Sequence, residues 1–116
     1  MALHNKLGKD SELIALMFLQ KKGFSILKTN WRFQTAEVDI IAQDNNFLVF
    51  VEVKTRGSSK FGKPEDAIDK KKIGLYKDAV EGYLEQYPTE SEIRFDVVSI
   101  IIKKDETKIK YIANAF

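Results

Sequence analysis

Ala36-Glu37-Val38-Asp39-Ile40-Ile41-Ala42-Gln43-Asp44-Asn45-Asn46-Phe47-Leu48-Val49-Phe50-Val51-Glu52-Val53-Lys54-Thr55 is the stretch that decides the fold. Ala36–Gln43 and Phe47–Thr55 are rich in Val, Ile and Phe and alternate with period two, the pattern of half-buried strands. Asp44-Asn45-Asn46 between them is turn chemistry, because asparagine tolerates positive φ. With Asn45 and Asn46 as the two central residues of a tight hairpin, Asp44 pairs with Phe47 and every pair of residue numbers sums to 91. That register sets Asp39 opposite Glu52 and Glu37 opposite Lys54. It collects Val38, Ile40, Ala42, Val49, Val51 and Val53 on the other face, and a one-residue slip would destroy the sorting.

The polar face carries the chemistry. Glu52 and Lys54 are two apart on a strand and project the same way, and Asp39 joins them across the hairpin. Two carboxylates and a lysine on apolar strands are costly unless they pair or bind a cation. Carboxylate oxygens with a backbone carbonyl and waters suit Mg2+ or Mn2+. Such an ion polarises a phosphodiester and lowers the pKa of a bound water, and a lysine beside it stabilises the transition state. The competing reading is an exposed Glu37–Lys54 ion pair with Asp39 and Glu52 merely solvated.

Outward from the hairpin, Asn5–Lys22 reads as a helix with Leu13, Leu16, Met17, Phe18 and Leu19 as its apolar stripe, capped by Gly23. Phe24–Phe33 reads as a strand of imperfect alternation. After a small-residue loop, Thr55–Lys63, a helix starting at Pro64 or Asp69 runs to Tyr87, where Pro88 stops it. Ile93–Ile102 is an apolar strand, Lys103–Thr107 a polar turn and Lys108–Ala113 a shorter strand. Helix, three strands, helix and two strands give an α/β or α+β domain with a mixed central sheet flanked by helices. Residues 1–116 read as one domain.

The 116 residues carry a net charge of +2 and no cysteine, which removes disulfides and thiolate metal sites. Without a membrane span or secretory signal, the chain reads as cytoplasmic. Its charge is uneven. Residues 54–77 hold eight basic side chains (Lys54, Arg56, Lys60, Lys63, Lys70, Lys71, Lys72, Lys77) against three acidic ones (Glu65, Asp66, Asp69). Such a cluster neutralises phosphates or is simply a solvated face.

Asp39, twelve residues, then Glu52-x-Lys54 resembles the Asp…(Asp/Glu)-x-Lys signature of the restriction-endonuclease-like (PD-(D/E)xK) superfamily, which includes archaeal-type Holliday-junction resolvases. More closely, the chain resembles the bacterial YraN-like family of predicted endonucleases. The resemblance is carried by Gly8 with Glu12, by Ala36–Ala42 and by Phe50–Arg56. Ala67, Lys72, Ala79, Tyr83-Leu84 and Arg94–Val98 continue it over nearly the whole chain. It implies a restriction-endonuclease-like α/β fold and a Mg2+- or Mn2+-dependent endonuclease acting on DNA, branched or structured DNA included. Asp39 and Glu52 would hold the metal, Lys54 would be the catalytic lysine, and Glu12 would complete the pocket from the first helix. Arg56, Lys60, Lys63 and Lys72 would hold the nucleic-acid backbone. Resolvase-like relatives act in pairs, so a homodimer is implied. Val38 stands where many superfamily members have proline, a departure the YraN-like pattern tolerates. The rival function is a nucleic-acid-binding module of the same fold without catalysis; a third is an interaction domain whose acids form ion pairs.

Other residues favour structural readings. Trp31 reads as core or rim rather than a base-stacking platform, and His4 as a bystander near the terminus. Asp96 is expected to pair with Arg94 or a backbone amide, and Tyr76, Tyr83 and Tyr87 to be core and core edge.

Overall fold

The computed structural model describes residues 2–56, 70–103 and 106–115, without the side chains of residues 2–9 and 56. Its elements are α1 (Ala2–Lys21), β1 (Ser25–Phe33), β2 (Ala36–Asp44), β3 (Phe47–Arg56), α2 (Lys70–Gln86), β4 (Glu92–Lys103) and β5 (Glu106–Ile112). The order is the expected one. Lys103, Glu106 and Thr107, read from sequence as part of a turn, instead pair within the β4–β5 ladder.

The hairpin has the expected register. Ile40 pairs with Val51 and the pairing continues to Asp44 with Phe47, each pair summing to 91. Asn45 takes the positive φ, 52°. The five strands lie in sequence order, antiparallel except for β3 and β4, which α2 connects and which run parallel. Helix α1 covers one face through Ala15 and Leu19, packed on Ile40, Ala42, Val49, Val51, Val98 and Ile100. Helix α2 covers the other through Tyr76, Ala79, Val80 and Tyr83, packed on Ile41, Leu48 and Phe50. The result is an α/β domain, a five-stranded mixed sheet between two helices. Among the described residues no helix is long and apolar enough to cross a membrane.

Two local devices fix α1. Gly23, at φ 98°, lets the chain turn out of the helix. Phe24 N–H donates to the Leu19 carbonyl and Gly23 N–H to that of Gln20, a Schellman closure. The buried line along α1 is Ser11, Ala15 and Leu19, spaced one turn apart. Leu13 and Met17, expected in the stripe, are 56% and 52% exposed. The helix approaches the sheet through its small residues and turns these two outward.

The sorting of β2 is also corrected. Val38 packs with Ala36 and Ile41 against α2, away from Ile40 and Ala42. Strict alternation fails because β1 and β2 are interrupted together. The ladder skips Asn30 and Asp39 between the pairs Thr29–Ile40 and Trp31–Val38, and Asn30 has φ 50°. Both strands change face at that step. Trp31 and Phe33 therefore turn to the α2 side, where Trp31 stacks on Phe33 and meets Tyr83 edge-on. This is a rim tryptophan, as expected. The Phe33 ring sits where a Cβ on Gly82 would fall 2.2 Å from it, so α2 needs a bare position there.

On the α1 face, buried Asp96 accepts Arg94 Nε and Nη2 at 2.9 Å each and Asn114 N–H at 2.9 Å. Tyr111 donates to it as well. Arg94 also reaches Asp44 at 3.1 Å and lies over the Phe47 ring. The expected structural role of Asp96 is found, and it ties the β2–β3 turn to the C-terminal segment.

Candidate active site

Asp39 stands where β2 parts from β3 and where the β1–β2 ladder skips one pair. The β2–β3 ladder ends at Ile40–Val51. Beyond it the Val53 N–H, with no β2 carbonyl paired to it, donates to Asp39 Oδ2 at 2.8 Å. Asp39 thus meets β3 through its side chain rather than as the paired partner of Glu52. Its carboxyl is pushed up to about 7, first by burial and then by the charges of Glu52, Glu12 and Glu37, with the Val53 bond pulling the other way. Both other expected acids, Glu52 and Glu12, therefore act on Asp39, and Glu37 acts with them.

Glu52 is buried on the α2-facing side of β3 with Leu48 and Phe50. Both its oxygens are held from α2. Tyr76 donates its hydroxyl to Oε2 at 2.5 Å, and Lys72 Nζ lies 3.0 Å from Oε1. Lys72 and Tyr76 are four apart, one turn of one helix face. Burial, then the charge of Glu52 and the hydrogen bond to it, raise the Tyr76 phenol, so it remains a donor. Lys54 lies two residues beyond Glu52, on the same side of β3 by alternation, opposite Ser99 of β4. Ser99 is fully buried, and among the described residues its hydroxyl has no hydrogen-bond partner.

Glu12 approaches from α1, and Asn30 Nδ2 donates to its Oε2 at 3.3 Å. Asn30, the residue at the face change, therefore links Glu12 to the strand beside Asp39. Glu37 pairs with Arg32 at 3.1 Å, not with Lys54, so the reading of an exposed Glu37–Lys54 pair over two solvated acids fails. Lys72 faces Glu52 instead of standing on an open surface with the exposed Lys70 and Lys71. Arg56 ends β3, and its side chain lies outside the description; Lys60 and Lys63 lie outside the described residues.

Among the described residues no three acidic or histidine side chains stand close enough to enclose a metal ion. The two-carboxylate set still fits Mg2+ or Mn2+, which bind through one or two carboxylates and complete their shell with water and phosphate oxygens. Burial first, and then the neighbouring charges of Glu52, Glu12 and Glu37, disfavour a bare carboxylate at Asp39, which a cation would offset. A recess of about 700 Å3 lined by Asn46, Phe47, Thr89, Glu90, Ser91 and Glu92 lies at the other end of β3 and contains none of these groups.

Sequence reasoning missed Tyr76 and Asn30 as site residues. The Lys72–Tyr76 spacing was a legible signal for the first. Nothing in the sequence marks Asn30 as the point where a strand changes face.

The model of the uncharacterised protein family UPF0102 matches residues 11–100. The chain belongs to this family. A UPF0102 protein of Flavobacterium psychrophilum, FP2501, is 51% identical over 116 residues, covering all of this chain and 98% of its own. UPF0102 proteins of Christiangramia forsetii and Syntrophomonas wolfei are 46% and 43% identical, covering 100% and 98% of this chain and 98% and 100% of theirs. The match spans every candidate site residue, from Glu12 through Ser99.

Proposed function

We propose that the protein is a divalent-metal-dependent nuclease of the restriction-endonuclease-like type, hydrolysing phosphodiester bonds in DNA, branched or structured DNA included. One observation carries the reading. Asp39 reaches across to Val53 N–H where β2 and β3 part, one residue from buried Glu52, and burial, with the charge of Glu52 added, raises its carboxyl to about 7. Purely structural acids on such strands have cheaper alternatives.

Asp39 and Glu52 are the residues that would hold Mg2+ or Mn2+. The bound ion would supply charge to polarise a phosphodiester and to offset the negative charge developing on it. Tyr76 keeps Glu52 oriented through its short hydrogen bond. Lys54 positions the attacking water and stabilises the developing charge. Glu12, steadied by Asn30, adds negative potential from the α1 side. Arg56 and the lysines that follow grip the backbone, and two copies of the chain would address two strands.

The experiment is cleavage of linear, flapped and four-way DNA with and without Mg2+ or Mn2+. Wild type should cut only with metal, Asp39→Ala and Glu52→Ala should not cut, and Lys54→Ala should lose about 3–4 kcal/mol of transition-state stabilisation. Metal-independent cleavage would refute the reading. DNA binding without cleavage of any substrate would favour the rival, a catalytically inactive nucleic-acid-binding module of the same fold.

A further inference from the structure

Lys72 meets Glu52 from inside the domain. Its side chain is 29% exposed and that of Glu52 is 9% exposed, while Lys70 and Lys71 beside it on α2 are exposed. A buried carboxylate requires a counter-charge, and Lys72 supplies it at one oxygen as Tyr76 supplies a hydrogen bond at the other. Both oxygens of a proposed metal ligand are therefore engaged by α2.

We infer that Lys72 is a resident counter-ion standing in for the divalent cation. In the metal-free protein its ammonium neutralises Glu52; with the ion held by Asp39 and Glu52, Lys72 would give up that contact. This rests on the proposed metal site. It assigns Lys72 to the loading of that site rather than to a grip on a distant phosphate. The geometry favours exchange because ammonium and metal need the same thing, a lone pair on a buried carboxylate. The Tyr76 bond on Oε2 can hold Glu52 in place while Oε1 changes partner. A lysine that merely positioned Glu52 would have the opposite effect on metal affinity, so the sign of one measurement separates the two roles.

The test is calorimetric titration of the full chain with Mn2+, with thermal melts in parallel, for wild type, Lys72→Met and Lys72→Arg. Methionine keeps the apolar stem without the charge. Lys72→Met should bind Mn2+ about tenfold more tightly than wild type, because even with water-like screening a unit charge several ångströms from a divalent ion costs about that factor. It should also gain more thermal stability from Mn2+ than wild type does. Lys72→Arg, which keeps the charge, should bind as wild type does. Equal or weaker binding by Lys72→Met would overturn the inference and leave the metal site standing. No Mn2+ binding by wild type would overturn both. If Lys72→Met is unfolded without metal, folding on addition of Mn2+ supports the exchange. Failure to fold at Mn2+ concentrations that saturate wild type overturns it.

Discussion

Asp39 Oδ2 accepts the backbone N–H of Val53 at 2.8 Å, two residues past the last residue of β3 that is paired with β2. A side chain has replaced a rung of the ladder. The carboxylate is thereby fixed at the opening where charges from β3 and α1 converge on it, and its affinity for a proton is the first measurable consequence.

The Asp39 carboxyl is raised from 3.8 to about 7 in the fold. A raised acid favours the folded state fully below its unfolded pKa, and that contribution is lost as pH rises through the folded value. Metal-free wild type should therefore lose stability relative to Asp39→Asn between about pH 4 and pH 7, by on the order of 2 kcal/mol after allowance for solvent screening. Melts of both proteins across that range, without metal, give the difference directly. Parallel curves would mean that Asp39 ionises as an ordinary surface acid.

Tyr76→Phe removes the donor to Glu52 Oε2 and keeps the ring that packs near Phe95. A lost hydrogen bond to a charged group costs about 1.5–3 kcal/mol. The variant should fold, melt lower and cut DNA more slowly at saturating metal. Unchanged melting and unchanged rate would show that the phenol is only a packing group.

The hairpin was legible because Asn45 and Asn46 allow one turn, and one turn fixes every pair from Asp44 to Ile40. It put Glu52 and Lys54 on one side of β3 and Asp39 across the hairpin from them, although the ladder stops before an Asp39–Glu52 pair forms. Gly23 was legible for the same reason, since a left-handed residue after a helix has few substitutes. Alternation failed at Val38 because the positive φ at Asn30 lies on the neighbouring strand, and period-two counting along β2 does not register it. Tyr76 is core, as expected, but the contacts that Lys72 and Tyr76 make with Glu52 were not legible in composition. Composition cannot distinguish a lysine turned into a site from Lys70 and Lys71 beside it, or a tyrosine whose hydroxyl reaches a carboxylate from one that only fills space.

Arg94→Met should test the other acid cluster. It leaves Asp96 buried beneath Tyr111 and the Asn114 amide but without its bidentate partner. Removing one member of a buried pair costs about 3–5 kcal/mol. Chemical denaturation should show that loss, while metal affinity per folded molecule stays as in wild type. A change in metal affinity would place this network within the site's reach.

Replacing Arg56, Lys60 and Lys63 together should weaken DNA binding for every sequence and flatten its salt dependence by about one unit per lost phosphate contact. Affinity measured across a salt series decides it. An unaltered slope would make this segment a solvated loop and move the backbone grip elsewhere.

The most direct measurement is anomalous diffraction from a crystal soaked in Mn2+, because it asks where the ion goes without requiring the right substrate. With Asp39 and Glu52 as joint ligands, a single strong peak should lie between their carboxylates and vanish in Asp39→Ala. No peak between them at saturating Mn2+, or one only among the acids Asp78, Glu81 and Glu85 on the outer side of α2, would contradict the metal site.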